Sequence, residues 1–82
     1  MANIALSKHA QDVMRERNIP EEWVLRAVDS PDRTDNPADG TTHYLKAIPE
    51  HDGRYLRVVV NPGAAPARVV TVFFDRRLGR SS

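Results

Sequence analysis

Apolar positions near the start of the chain recur at helical spacing. Advancing each residue by about 100° puts Leu6, Ala10, Val13 and Met14 on one stripe, which predicts a helix over residues 7–18 with Ser7 as its N-cap. On the same wheel Arg17 lands near the middle of the stripe and Arg15 on the opposite, wet side. The expectation is that Arg17 faces the core and needs a partner, because an unpaired buried charge is very costly. Ile19-Pro20 breaks this helix, and Pro20 starts a second one. Glu21 and Glu22 fall in its first turn, where acidic residues suit the helix dipole. Val24, Ala27 and Val28 make its buried stripe, Trp23 flanks it, and Ser30-Pro31 stops it.

Beyond residue 41 the period changes to alternation, the mark of half-buried strands. Strands are predicted over 42–48, 54–61 and 67–75, separated by the turn Glu50-His51-Asp52-Gly53 and by Pro62-Gly63-Ala64-Ala65-Pro66. Residues 31–41 are polar and turn-rich, with room for a short edge strand. Internal repeats and a second domain are absent. The pattern predicts a single α+β domain over 1–82, with two N-terminal helices packed on one face of a three- to four-stranded antiparallel sheet and a frayed tail at 76–82. Alternation assigns Leu45, Ala47, Leu56, Val58, Val60, Val70, Val72 and Phe74 to the face under the helices. The open face then carries Tyr44, Lys46, Tyr55, Arg57, Val59, Val69, Thr71, Phe73 and Asp75. Rings among cations on an open sheet suit RNA, since bases stack on rings and phosphates meet cations. Ordinary cross-strand pairing and a protein partner favour similar residues.

Composition narrows the classes. The 82 residues make one small domain, and without cysteine there is neither a disulfide nor a thiolate metal site. No apolar stretch approaches the roughly 18 residues of a membrane span. The N-terminus lacks the basic region and apolar core of a signal peptide, so a cytoplasmic protein is expected. The net charge of +1 hides an asymmetry: residues 1–53 carry −4 and residues 54–82 carry +5. A basic half implies either an anionic partner or attraction between the two halves.

Few side chains offer chemistry. His9 is the acid/base candidate, placed in the first helical turn, where it either transfers protons or fixes the helix entry. Arg17, about 12 Å further along the helix axis, has three uses open to it: a helix-end cap, a pair with a buried acid such as Asp75, or a phosphate contact. His43 and His51 share no metal-ligand spacing with each other or with His9, so neither metal nor cofactor is expected. A Gly-rich phosphate loop and a nucleophile elbow are both absent.

The opening Ser7-Lys8-His9-Ala10, then Arg15-Glu16-Arg17-Asn18-Ile19 with Glu21-Glu22 following, resembles a family of small bacterial proteins classed as a domain of unknown function. Its members show an S-K-H-A … R-x-x-R-G-I … E-E-V opening and a closing strand similar to Val69-Val70-Thr71-Val72-Phe73. Asn18 stands where glycine is usual, a benign change because Asn also adopts the left-handed conformation. Trp23 lies near the usual aliphatic position. The resemblance spans nearly the whole chain and implies kinship with RelE- or barnase-like toxin ribonucleases. It implies His9, Arg17, Arg57 and Thr71 as the catalytic set. From the open-face argument, Lys46, Tyr44 and Tyr55 are the expected substrate-binding residues. The function expected is a toxin-like, metal-independent endoribonuclease acting on single-stranded or ribosome-bound RNA, with RNA and a cognate antitoxin-like protein as partners. The alternative is a non-catalytic module that binds a protein through the open face.

Overall fold

A computed structural model describes residues 4–78. The chain runs β1 (Ile4–Leu6), α1 (Lys8–Glu16), α2 (Glu21–Asp29), β2 (Arg33–Asp35), β3 (Thr42–Ile48), β4 (Arg54–Asn61) and β5 (Ala67–Phe74), with 3-10 turns at Pro49–His51 and Arg76–Leu78. It is an α+β fold with both helices on one face of the sheet. The sheet has five strands in the order β1-β5-β4-β3-β2. It is mixed rather than purely antiparallel, because β1 pairs parallel with β5. β1 is not among the predicted strands, because alternation cannot reveal a strand three residues long. The short edge strand allowed for in residues 31–41 is β2, paired antiparallel with β3. Arg76–Leu78, expected in a frayed tail, form a 3-10 turn, while residues 79–82 lie outside the described residues.

Helix α1 starts as its sequence dictates. The Ser7 hydroxyl accepts from the Ala10 amide at 3.0 Å and donates to the Val70 carbonyl at 3.0 Å, so one residue caps the helix and ties it to β5. The helix ends at Glu16, two residues before the predicted end. Asn18 takes a left-handed φ of 56°. The Ile19 amide then reaches back to the Met14 carbonyl (2.8 Å) and the Asn18 amide to that of Arg15 (3.4 Å), a Schellman closure. This reversal turns Ile19 into the core and leaves Arg17 exposed. Arg17 is therefore no core residue, and its exposure corrects the helical-wheel expectation.

The core joins Ala10 and Met14 of α1 and Val24 and Ala27 of α2 to Ile48, Leu56, Val58, Val60, Val69 and Val72 of the sheet. The faces of β4 follow the predicted alternation. Those of β3 do not: Tyr44 lies opposite Val58 and Lys46 opposite Leu56, so both sit on the helix side, while Leu45 pairs with Arg57 on the other. Tyr44 packs against the core, and Lys46 Nζ lies 3.5 Å from Asp32. The strand holds two strong hydrophobes of opposite phase: Leu45, on which the expected assignment turned, is buried on the far face, whereas Ile48 is buried in the core beneath the helices. In β5 a bulge between the pairs at Val59 and Val60 shifts the register. Val69 is consequently fully buried, whereas Val70 is 39% exposed, the reverse of the expected assignment.

Candidate functional site

Two charged regions flank β5, and they differ in kind. The first lies on the open face. Arg57, facing away from the helices as expected, is nevertheless buried. Its Nε donates to Asp75 Oδ2 at 2.8 Å and its second terminal nitrogen approaches the same oxygen at 2.7 Å. The remaining terminal nitrogen donates to His43 Nδ1 at 2.8 Å and to Asp35 Oδ2 at 3.4 Å. A guanidinium has no acceptor, so His43 Nδ1 must carry a lone pair and the ring proton sits on Nε2, where it donates to the Thr41 hydroxyl at 3.1 Å. Arg77 closes the network with its backbone amide (2.9 Å) and its side chain on Asp75. Arg77 first, and Arg57 beside it, hold the Asp75 carboxyl down at about 2 against the burial that would raise it. A groove of about 610 Å³ opens over this cluster.

The second region runs along the outer edge of β5 and encloses about 720 Å³. It is lined by Val13, Arg17 and Ile19 from α1 and its closing turn, by residues 71–74 of β5, and by His51, Arg54 and Arg76. Local structure places each cation here. The Schellman reversal turns Arg17 outward, Arg54 opens β4 after the Pro49–His51 turn, and Arg76 follows the last strand. Among the described residues, none of these three arginines has a carboxylate within 4.0 Å. Glu50, four residues before Arg54, is taken elsewhere: it accepts a two-pronged contact from Arg26 at 2.9 and 2.8 Å, which holds its carboxyl at about 2. His51 stacks on Phe74 with centroids 4.1 Å apart and planes 19° from parallel, and Trp23 meets both rings at 6.1 and 6.2 Å. Phe73, 41% exposed, lines the same groove.

Of the residues singled out from sequence, only Arg17 and Thr71 come together, both in the edge groove. Arg57 belongs to the open-face network, and Tyr55 is half-buried on that face opposite Ala47. His9 is exposed on α1 and lines neither groove. Tyr44 and Lys46 are displaced to the helix side. His51, Arg54 and Arg76 were missed, although the basic excess after residue 53 already pointed to two of them. Among the described residues no group of three or more His, Cys, Asp or Glu is arranged to hold a metal, and no helix is long and apolar enough to cross a membrane.

The described residues thus form an α+β fold of two helices on a five-stranded sheet, with a basic groove at a strand edge whose arginines meet no carboxylate among them. The family described as Domain of unknown function (DUF4258) matches residues 6–74, and the chain belongs to it. No curated protein and no solved structure matches the chain.

Proposed function

We propose that the protein is a toxin-like, metal-independent endoribonuclease that holds single-stranded RNA in the edge groove. One observation carries this reading: three arginines without carboxylate partners converge on a groove that also holds an imidazole and an exposed ring. Arginine suits phosphate because its planar fork matches two oxygens. RNA brings its own nucleophile, the 2′-hydroxyl, so cleavage requires only a proton acceptor and cations for the charge that develops on phosphorus. His51 accepts the 2′-hydroxyl proton, the 2′-oxygen bonds to phosphorus, and the bond to the 5′-oxygen breaks as that oxygen takes a proton from water. Arg17, Arg54 and Arg76 stabilise the phosphorane, the Thr71 hydroxyl donates to a non-bridging oxygen, and Phe73 stacks a base. His51 is favoured over His43 because both His43 nitrogens are already engaged. It is favoured over His9 because His9 stands outside the groove.

The test is incubation of the purified protein with single-stranded RNA at about 50 mM salt with EDTA present, conditions under which phosphate contacts are strong. Fragments ending in a 2′,3′-cyclic phosphate are expected, abolished by His51→Ala and retained by His9→Ala. Wild-type protein that neither cuts nor shifts RNA would replace this reading with the non-catalytic interaction module.

A further inference from the structure

The edge groove has a second property that RNA binding does not use. Strand β1 covers β5 only at Ala67, Arg68 and Val69. The last bonds on that side are the Ser7 amide to the Val69 carbonyl (3.0 Å) and the Ser7 hydroxyl to the Val70 carbonyl (3.0 Å). Past this point no described strand pairs with the outer side of β5. The direction of the remaining polar groups follows from the ladder. The Asp75 amide donates to the Tyr55 carbonyl, so Asp75, Phe73 and Thr71 turn their amides and carbonyls toward β4. Val72 and Phe74 therefore turn theirs outward, into the groove that residues 71–74 line. An open edge of this kind is a template for another strand.

We propose that an extended, acidic segment of a partner polypeptide adds to the sheet along this edge, bonds the outward backbone groups of Val72 and Phe74, and places carboxylates on Arg17, Arg54 and Arg76. Charge selects this occupant. A second copy of the chain pairing edge to edge would bring its own three arginines against these. The chain's own ends outside the described residues, Met1-Ala2-Asn3 and Gly79-Arg80-Ser81-Ser82, carry no acidic side chain. Val70 and Phe73, both exposed beside the edge, supply apolar contact for alternate side chains of the incoming strand. An acidic strand seated here covers the groove, so the inference deepens the ribonuclease reading and rests on it for its regulatory meaning: the partner is an inhibitor that displaces RNA.

The probe is a blocked synthetic peptide of alternating Glu and Val, compared with the same peptide N-methylated along one edge and with a Lys-for-Glu counterpart. Hydrogen exchange of the full chain followed by NMR reads the amides of Val72 and Phe74, and release of labelled single-stranded RNA reads competition. The Glu peptide is expected to slow exchange at Val72 and Phe74 by roughly tenfold or more and to release RNA. The N-methylated and Lys peptides should do neither, and Arg17→Glu should weaken the Glu peptide by roughly tenfold. Equal binding of the N-methylated peptide, or protection elsewhere than β5, overturns the strand-addition proposal. RNA cleavage without any peptide effect sinks the inference and leaves the ribonuclease reading standing. Peptide protection in a protein that never binds RNA does the reverse, keeping the acidic partner and removing the nuclease.

Discussion

The open-face network and the edge groove hold similar side chains under opposite constraints. In the network Arg57 spends every terminal nitrogen on Asp75, Asp35 and His43, and Asp75 is itself shared with Arg77. In the groove Arg17, Arg54 and Arg76 meet no carboxylate among the described residues. Burial separates the two. A charge removed from water must be paired within the fold, whereas one left in water retains its hydration until a ligand arrives. A cation is thus most available to a ligand where the fold has least need of it, which moves the proposed phosphate contacts from Arg57, the sheet residue favoured from sequence, to the three arginines around the strand edge.

The largest effect that tests this contrast is on stability. Arg57→Ala leaves Asp75 buried beside an empty space and should cost about 3–5 kcal/mol by chemical denaturation. A loss below about 1 kcal/mol would show the network to be no more essential than a surface pair.

Acid should find the same weakness. The Asp75 carboxyl is held at about 2 in the fold against 3.8 without its partners. Its contribution to stability is therefore complete above about pH 4 and lost as the pH falls toward 2. Asp75→Asn should flatten the stability profile across that window, and a profile identical to the wild type would remove Asp75 from the account of acid unfolding.

Effects on the groove should be large in function and small in folding. His51→Phe keeps a ring to stack on Phe74 but cannot take a proton, so cleavage should vanish while the denaturation midpoint barely moves. If this variant still cleaves, the acid/base group lies elsewhere.

The smallest expected change is that of the groove arginines on stability. Arg54→Ala and Arg76→Ala should each shift it by under roughly 0.5 kcal/mol. Each should also lower the slope of log affinity against log salt for single-stranded RNA by about 0.7. A stability loss as large as that of Arg57→Ala would erase the distinction between the two regions.

Sequence revealed the elements better than their sides. Strands β3 and β4 begin and end where alternation predicted, because turn chemistry at Pro49–Gly53 and Pro62–Pro66 punctuates them strongly. The phase of β3 was misjudged because its two strong hydrophobes disagree: Leu45 is buried on the face away from the helices and Ile48 on the face beneath them, and alternation alone does not say which one marks the core. The bulge that exposes Val70 leaves no mark in a run of β-branched residues. Arg17 was misplaced for a different reason: the predicted helix ran two residues too far, although Asn18, the residue whose left-handed turn ends the helix, was legible as a stop. The groove itself was not legible, since its cations come from three separate stretches of chain that only the tertiary fold brings together.

The parallel pairing of β1 with β5 also bears on how the molecule comes into being. Among the described residues the first strand pairs only with the last, and the Ser7 hydroxyl that caps α1 bonds a carbonyl 63 residues away. Contacts of that sequence separation require a large loop to close before they stabilise anything, and this slows folding. On a growing chain α1 has its cap but lacks the β5 floor beneath it until residues 67–74 have been made. The domain therefore cannot mature from its N-terminus piece by piece, and the basic groove, lined by residues of α1 and of β5, exists only once the chain has been made as far as Arg76.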